Sequence, residues 1–456
     1  MNASLCIESG RKLFAAGDYG RAEEQFLRAL GADASQAGAV HMELGGLYRA
    51  LGDHDRALKH YEDRAAAGRA SPEILEYLGS VHREKGRMGP AADAFARALE
   101  ALPGDDLFRR NKTLNDLEIC QGKTLLESQP RAMGVTLTSR CNLRCVMCTS
   151  VHDHWELPRA AQQEVLSFLP YLEHIYWKGG EVQLYPDFEA LFDAAARHPR
   201  LCQEISTNGL LLDGAWILRF VRNNVLLSLS IDGFTPGVYE NIRKGGSFQT
   251  LMRNIRELNR CRKEAGGASG FHMNFNFVLM EQNCRELERI VAFAVDNEFS
   301  HIKISPVNAS SADSGLPRLP LEFLRRRPDL KQEIFQEARR HGIDVFWAVP
   351  DCGPAPSAPG PSGPVPPPPL AARLCYLPWQ HLSIGDRGRV LPHECFCREA
   401  VGDIASETLR HIWNNAAMRS YRARIAAGDY AGWCSEKCMD GTLARHCLGL
   451  RRPRCD

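Results

Sequence analysis

Three cysteines stand in the run Cys141-Asn142-Leu143-Arg144-Cys145-Val146-Met147-Cys148, directly after a strand-like segment, Gly134–Thr138. Three thiolates this close can hold three irons of a cubane cluster and leave the fourth iron without a protein ligand. An iron left open in this way can bind a small molecule, whereas a four-cysteine cage is coordinatively closed. The plainer alternative is a zinc knuckle. A second group follows late in the chain: Cys375, then Cys395 and Cys397, then Cys434-x3-Cys438, with Cys447 and Cys455 beyond. Its thiolates suit either another cluster or a structural zinc. Cys202, Cys261 and Cys284 lie on strand or helix patterns without neighbours at ligand spacing and read as buried hydrophobes.

From Ala132 onward, strand-like and helix-like segments alternate, which argues for a parallel sheet with helical crossovers. The predicted strands are Gly134–Thr138, His174–Lys178, Cys202–Thr207, Leu226–Ile231, Phe271–Leu279 and His301–Ser305. Helical patterns over Asp187–Arg197, Phe248–Glu264 and Arg285–Asn297 separate some of them. Polar motifs sit where the strands end, the usual place for chemistry in parallel sheets with helical crossovers. After the second strand comes Lys178-Gly179-Gly180-Glu181: two glycines let the backbone approach a ligand, and a carboxylate beside them accepts from an ammonium group. The third strand ends Ser206-Thr207-Asn208-Gly209 and the fourth Ser230-Ile231-Asp232-Gly233. Short polar side chains there suit hydroxyl and carboxylate partners, although a helix cap explains Asp232 equally well.

These motifs, taken in order, resemble the radical S-adenosylmethionine (radical SAM) superfamily. The resemblance implies a partial (β/α)6 barrel over residues 132–349, with Cys141, Cys145 and Cys148 holding a 4Fe-4S cluster whose open iron takes SAM. Electron transfer would then cleave SAM to a 5′-deoxyadenosyl radical that abstracts a substrate hydrogen. Gly179, Gly180 and Glu181 look like the family's Gly-Gly-Glu-Pro motif for the SAM amino group, with Val182 in place of proline. Tyr239-Glu240-Asn241-Ile242-Arg243 resembles a stretch whose arginine pairs with the SAM carboxylate; Arg243 and Ser230 are expected to bind SAM, with Ser206, Asn208 and Asp232 beside them. Met147 replaces an aromatic often found there, so adenine packing would rest on its thioether and the barrel wall.

The later cysteines resemble the SPASM/twitch extension of such enzymes, here assigned to residues 371–456. Cys375-Tyr376-Leu377-Pro378-Trp379 leads to a hairpin (His381–Ile384, turn Gly385–Gly388, Arg389–Leu391), then Cys395 and Cys397, an Ile412-Trp413-Asn414 helix and Cys434/Cys438. One auxiliary 4Fe-4S cluster on Cys375, Cys395 or Cys397, Cys434 and Cys438 is implied; Cys447 and Cys455 match a second one poorly. Asp386, His393 and Glu394 lie beside this hairpin, where either proton transfer or an ordinary solvated turn accounts for them.

Ahead of all this the chain repeats itself. Gly10, Gly45 and Gly79 recur about every 34 residues, as do Gly17, Gly52 and Gly86; Ala22, Ala57 and Ala91; and Phe26, Tyr61 and Phe95. This resembles three tetratricopeptide (TPR) units within residues 1–105, with a connecting segment at 106–131. Three stacked units are about the minimum that buries such apolar faces, and arrays of this kind mostly bind a peptide or a protein. Pro350–Pro369, nearly all Pro, Gly, Ala and Ser, reads as a solvated spacer spanning about 350–370.

The bulk properties narrow the rest. At 456 residues the chain holds two or three domains. Lysine plus arginine (56) nearly equals aspartate plus glutamate (55), so nothing in the global charge points to nucleic acid or an anionic membrane. No apolar run approaches membrane-spanning length. Sixteen cysteines behind an N-terminus unlike a signal peptide fit a cytoplasmic metal-binding protein better than a disulfide scaffold. The expected function is a radical SAM oxidoreductase acting on a peptide or protein held by the repeats, with an electron donor such as flavodoxin or ferredoxin. The alternatives are dehydrogenation of a small sugar-like alcohol, or a TPR scaffold with structural or redox-sensing metal sites.

Overall fold

A computed structural model describes residues 3–15, 18–33, 36–66, 70–148, 154–266, 270–307, 317–349, 375–393 and 399–429. The contact pattern divides the chain into two units. The first takes the described residues of Met1–Gln129, Pro367–Trp379 and Ile425–Gly428; the second takes those of Pro130–Pro366, Gln380–Arg424 and Asp429–Asp456.

In the first unit six helices form three hairpins: α1 (Ala3–Ala15) with α2 (Tyr19–Ala32), α3 (Ala37–Ala50) with α4 (His54–Ala66), and α5 (Pro72–Glu84) with α6 (Met88–Ala101). The repeated glycines and aromatics are partners within each hairpin. A Cβ on Gly45 would lie 2.6 Å from the Tyr61 ring, and one on Gly79 would lie 2.7 Å from that of Phe95, with Gly10 and Phe26 in the same relation. The aromatic therefore seats on the glycine of its own unit. Tyr61 also meets Tyr77 of the next hairpin edge-on, with centroids 5.0 Å apart. Gly52 and Gly86 end α3 and α5 at φ +75° and +74°, a conformation glycine adopts at little cost. Asp18 and Asp53 cap α2 and α4, accepting from the amides of Arg21 and Arg56.

The segment expected to connect repeats and sheet contains a seventh helix, α7 (Leu107–Cys120), packed on α6. Its buried positions are largely polar, including Asn111, Thr113, Asn115, Asp116 and Glu118, so it shows no apolar stripe. These polar groups find partners instead: Arg83 pairs with Asp116 at 2.5 Å, and Glu118 accepts from the Ser128 hydroxyl at 2.6 Å. The Pro-Trp motif belongs to this unit. Trp379 Nε1 donates to the Lys123 carbonyl at 2.6 Å, and Asn115 donates to the Trp379 carbonyl at 2.7 Å.

Among the described residues the second unit is built on a ten-stranded sheet with helices covering its buried face, and carries a separate two-stranded ladder of Arg144–Cys145 and Arg243–Lys244. In chain order its strands are β1 (Ala132–Thr136), β2 (Arg144–Cys145), β3 (His174–Lys178), β4 (Cys202–Thr207), β5 (Val225–Ser230), β6 (Arg243–Lys244), β7 (His272–Leu279), β8 (His301–Pro306), β9 (Asp344–Trp347), β10 (His381–Ile384), β11 (Arg389–Leu391) and β12 (Gly402–Asp403). Strands β1, β3, β4, β5, β7 and β8 run parallel in that order and are the six expected from sequence. The sheet goes further at both edges. β9 adds a parallel strand beside β8, and β10 pairs parallel to β1 with Gly134 opposite Ser383. The hairpin assigned to the C-terminal extension is thus continuous with the barrel sheet, through antiparallel β11 and β12.

The crossover helices are α8 (Arg159–Phe168), α9 (Phe188–Ala196), α10 (Gly214–Val221), α11 (Pro236–Ile242), α12 (Phe248–Glu264) and α13 (Ile290–Asp296), followed by α14 (Leu321–Arg326) and α15 (Leu330–Arg340). Before α13 the chain runs as a 3-10 helix, Glu281–Arg289, which takes up the first turn of the helix expected over Arg285–Asn297. Strand alternation separates the two faces of the sheet. Ile175, Trp177, Ile205, Leu227, Leu229, Phe275 and Phe277 are fully buried under the helices. After the hairpin, Thr408 caps α16 (Leu409–Ile412) and α17 (Ala416–Ala426) comes next. Leu409 donates its amide to Glu164 Oε2 at 2.6 Å, which fixes this segment on α8.

Among the described residues no helix is long and apolar enough to cross a membrane. The Pro350–Pro369 spacer, Glu394, Cys395, Cys397, Cys434, Cys438, Cys447 and Cys455 lie outside the described residues.

Candidate functional site

The cysteine loop leaves the end of β1 and is clamped from two sides. On one side the turn after β3 lies against its entry. Gly180 donates its amide to the Thr138 carbonyl at 2.7 Å, and Glu181 donates to the Arg140 carbonyl at 2.8 Å. Gly179 has φ +147°, and a Cβ on either glycine would overlap the backbone carbonyl of Thr138 or of Arg140. The glycines were expected to let a ligand approach. What they admit here is the chain's own main chain at the root of the cysteine loop.

Glu181 then closes the assembly onto β4. It is fully buried, with Oε1 accepting from the Thr207 hydroxyl at 2.7 Å and Oε2 from the Asn208 amide at 2.8 Å. Burial pushes its carboxyl up to about 7 against these donors. Asn208 completes the circuit, donating through Nδ2 to Asn142 Oδ1 at 2.7 Å, inside the cysteine loop. Thr207 and Asn142 were not among the expected site residues. Both lie inside motifs that the sequence marked, but no spacing rule singled them out.

The other clamp comes from β6. Cys145 stands opposite Arg243 in the two-stranded β2–β6 ladder, and Val146 donates its amide to the Ile242 carbonyl at 2.9 Å. The Arg243 guanidinium reaches back with Nη1 3.8 Å from Cys145 Sγ and Nη2 2.6 Å from Asp232 Oδ2. Asp232 accepts from the Val278 amide at 2.7 Å through Oδ1. Both charged groups are buried, so their pairing is what makes either tolerable there. Asp232, for which a helix cap was an equal reading, is therefore the counter-ion of Arg243. Arg243 Nε is buried and finds no hydrogen-bond partner among the described residues.

Cys141, Cys145 and Cys148 are free thiols on this one loop. Leu143 donates its amide to Cys141 Sγ at 3.4 Å. Burial pushes Cys141 up and Cys145 up to about 11, with Arg243 pulling both down. Thiolates here need a strong local cation, which iron supplies. Three free thiols on one loop, a buried guanidinium beside one of them and an unused Nε donor fit a cluster carrying an anionic ligand group.

Ser206 and Ser230 lie on the sheet face away from the helices, between buried Ile205 and Thr207 and buried Leu229 and Ile231 respectively. They share that face with His174, Glu204, Asn274, Asn276 and Lys303. Glu204 accepts from Ser228 and pairs with His174 at 3.1 Å. Asn274 Oδ1 is buried without a partner among the described residues. The inner wall is thus polar, with hydrogen-bonding capacity left over. Met147 packs with Ile242, Met280 and Val307.

Other expected residues are placed differently. Cys202 and Cys261 are buried as anticipated, but Cys284 is only half-buried, because the 3-10 segment turns its thiol toward the Glu281 carbonyl at 3.4 Å. His393 is buried against Tyr421, Nε2 to hydroxyl 2.8 Å, so it is a core histidine. Asp386 is exposed on the hairpin turn. Cys375 is half-buried in the first unit.

Because Gly180 has a backbone oxygen where a methyl would go, Gly180→Ala should displace the loop root. Overpacking of this kind costs about 1–3 kcal/mol or more. Cluster iron after anaerobic reconstitution should fall well below wild type, and wild-type iron content would show that the clamp is dispensable.

The Radical SAM superfamily matches residues 135–294, an iron-sulfur cluster-binding (SPASM) domain matches 375–439, and tetratricopeptide repeats match 7–73 and 63–106. Residues 135–294 are thus a radical SAM superfamily domain. More particularly, the chain combines that domain with TPR repeats before it and a SPASM domain after it, which brings a SAM-binding 4Fe-4S cluster, SAM and auxiliary iron–sulfur chemistry. It is 30% identical over 165 residues to the mycofactocin maturase MftC of Mycobacterium ulcerans, covering 35% of this chain and 42% of that one. It is 28% identical over 197 residues to GTP 3′,8-cyclase of a Synechocystis strain, covering 40% and 56%. The chain thus spans about half the length of these curated relatives. In fold it is similar to Streptococcus suis SuiB bound to precursor peptide SuiA, with TM-score 0.53, 15% identity, and 82% and 84% of the two chains covered.

Proposed function

We propose that the chain is a radical SAM enzyme that takes a hydrogen from a peptide or protein side chain and leaves it oxidised or cross-linked. The observation that carries this reading is the double clamp, which fixes three free thiols at the end of β1 beside a polar inner wall. Cys141, Cys145 and Cys148 would hold the SAM-binding 4Fe-4S cluster, which supplies reductive cleavage of SAM and the hydrogen-abstracting radical.

The chain's own residues do the positioning. Gly179 and Gly180 fix the root of the loop, and Glu181 ties it to β4 while keeping acceptor capacity for an ammonium group. Asp232 holds Arg243 in place, and the free Nε of Arg243 is the donor left for a carboxylate. Ser206, Asn208 and Ser230 offer hydroxyl and amide groups on or beside the inner wall, and Met147 stiffens the loop from behind. Cys375, Cys395 or Cys397, Cys434 and Cys438 would hold the auxiliary cluster, which would supply an acceptor for the electron left on the substrate. A small flavodoxin or ferredoxin in an oxygen-poor cytoplasm fits as electron donor.

A peptide is favoured over a sugar by the repeats, whose stacked hairpins suit extended chains, and by the names of two relatives, a maturase and a protein bound to a precursor peptide. The cyclase among the relatives acts on GTP by name, which keeps a small molecule as the second reading. The test is 5′-deoxyadenosine release from SAM under dithionite, by the holoprotein alone and with short peptides encoded beside it. Basal release should rise severalfold with the cognate peptide, and deuterium on the peptide carbon should appear in 5′-deoxyadenosine. No release at all would sink the enzyme reading; stimulation by nucleotides or sugars but by no peptide would favour the second.

A further inference from the structure

Among the described residues a second set of metal-ligating side chains comes together far from the cysteine motifs in sequence, within one TPR hairpin. His41 on α3 faces His60 and Asp63 on α4, with one donor atom from each lying within 4.8 Å of the others. The two imidazoles meet Nδ1 to Nδ1 at 2.9 Å, and His41 Nδ1 lies 3.9 Å from Asp63 Oδ2. Two donors on one tetrahedral zinc stand about 3.3 Å apart, given zinc–nitrogen bonds of about 2.0–2.1 Å. The observed separations straddle that value.

The neighbours hold the donors ready. His60 stacks on Tyr48, with centroids 5.4 Å apart and planes 10° from parallel. Tyr48 is itself fixed, donating to Glu23 Oε1 at 2.6 Å and covered by the Arg56 guanidinium at 4.4 Å. Asp63, one helical turn from His60, has 47% of its side chain exposed and is free to turn inward. Two imidazoles and one carboxylate are the donors of a borderline-soft ion. Magnesium and calcium prefer a shell made wholly of oxygen.

We propose that His41, His60 and Asp63 form a site for one divalent transition-metal ion of the zinc class, with water completing the shell. The ion clasps α3 to α4 in the central repeat and so stiffens the surface that the repeats present to a partner. The site is separate from the cysteine loop and does not depend on the enzymatic reading.

The test uses holoprotein with its clusters assembled, dialysed anaerobically against a low, buffered zinc concentration, with iron and zinc counted by mass spectrometry. Wild type should carry one zinc more than His41→Gln, and Asp63→Asn should hold that zinc at least tenfold more weakly. Iron content and SAM cleavage should be the same in all three. Zinc should also raise the melting temperature of wild type and leave that of His41→Gln unmoved. Equal zinc in wild type and both variants would place the metal on thiols and overturn the proposal, as would a wild type that takes up none. Asp63 is surface-placed, so its variant answers even if His41→Gln folds poorly.

Discussion

Cys145→Ala is expected to abolish 5′-deoxyadenosine formation, lowering it more than 100-fold. Loss of a residue that merely supports a metal ligand already costs roughly 10–100-fold, and Cys145 is read as a ligand itself. The position is also the most constrained of the three thiols: it sits in the β2–β6 ladder, with the Arg243 guanidinium 3.8 Å from its sulfur. Alanine leaves that guanidinium and one iron without the thiolate, and no other cysteine lies on the ladder to take its place. Cys261→Ala makes the matched control, since Cys261 is buried on α12 away from the loop and the change removes one sulfur from the core. Iron analysis and SAM cleavage should separate the two variants cleanly. A Cys145→Ala protein that keeps full iron and full cleavage would remove the cluster from this loop.

The second large effect concerns stability. Arg243→Ala leaves the Asp232 carboxylate buried with the Val278 amide as its one remaining donor among the described residues. Breaking a buried pair from one side typically costs about 3–5 kcal/mol, which rivals the whole stability of many domains. Asp232→Asn in the same chain removes the stranded charge, so the double variant should recover part of the loss. Burial pushes the Asp232 carboxyl up while Arg243 pulls it down. Without Arg243 the folded-state value rises further above the unfolded one. Between those two values the folded form binds the extra proton, so the single variant should be least unstable at low pH and lose stability as pH rises. Urea unfolding of the four proteins at two pH values measures the coupling. A single variant within about 1 kcal/mol of wild type would mean that the pair contributes little.

Much of this architecture was legible because local signals agreed with the tertiary ones. His174–Lys178, Cys202–Thr207 and Phe248–Glu264 have the bounds read from sequence, each being an apolar pattern closed by polar or glycine punctuation. The repeats were legible for the same reason, since each glycine has an aromatic 16 positions on that needs the space. Helix α7 escaped because its buried face is built from Asn111, Asn115, Asp116 and Glu118, whose partners come from outside the helix. Strands β9 and β10 were missed as sheet members because four residues carry no information about which edge they will join.

The site divides in the same way. Residue types at strand ends announced where polar chemistry belongs, but not who pairs with whom. Glu181 was expected to face a ligand, yet it is spent largely on Thr207 and Asn208, which no spacing rule links to it. Arg243 and Asp232 come from separate motifs, and only the fold makes them one unit.

The position of β10 has a consequence for the order of synthesis. The strand that launches the cysteine loop pairs on one side with residues 174–178 and on the other with residues 381–384. A nascent chain that has emerged only as far as residue 349 therefore holds every other parallel strand while one flank of Ala132–Val135 still presents bare amides and carbonyls. An unpaired flank of this kind recruits stray strands from other chains. Sealing it waits for a four-residue segment supplied from beyond the proline-rich stretch, so a premature stop there would free a sticky sheet border as well as delete the later cysteines.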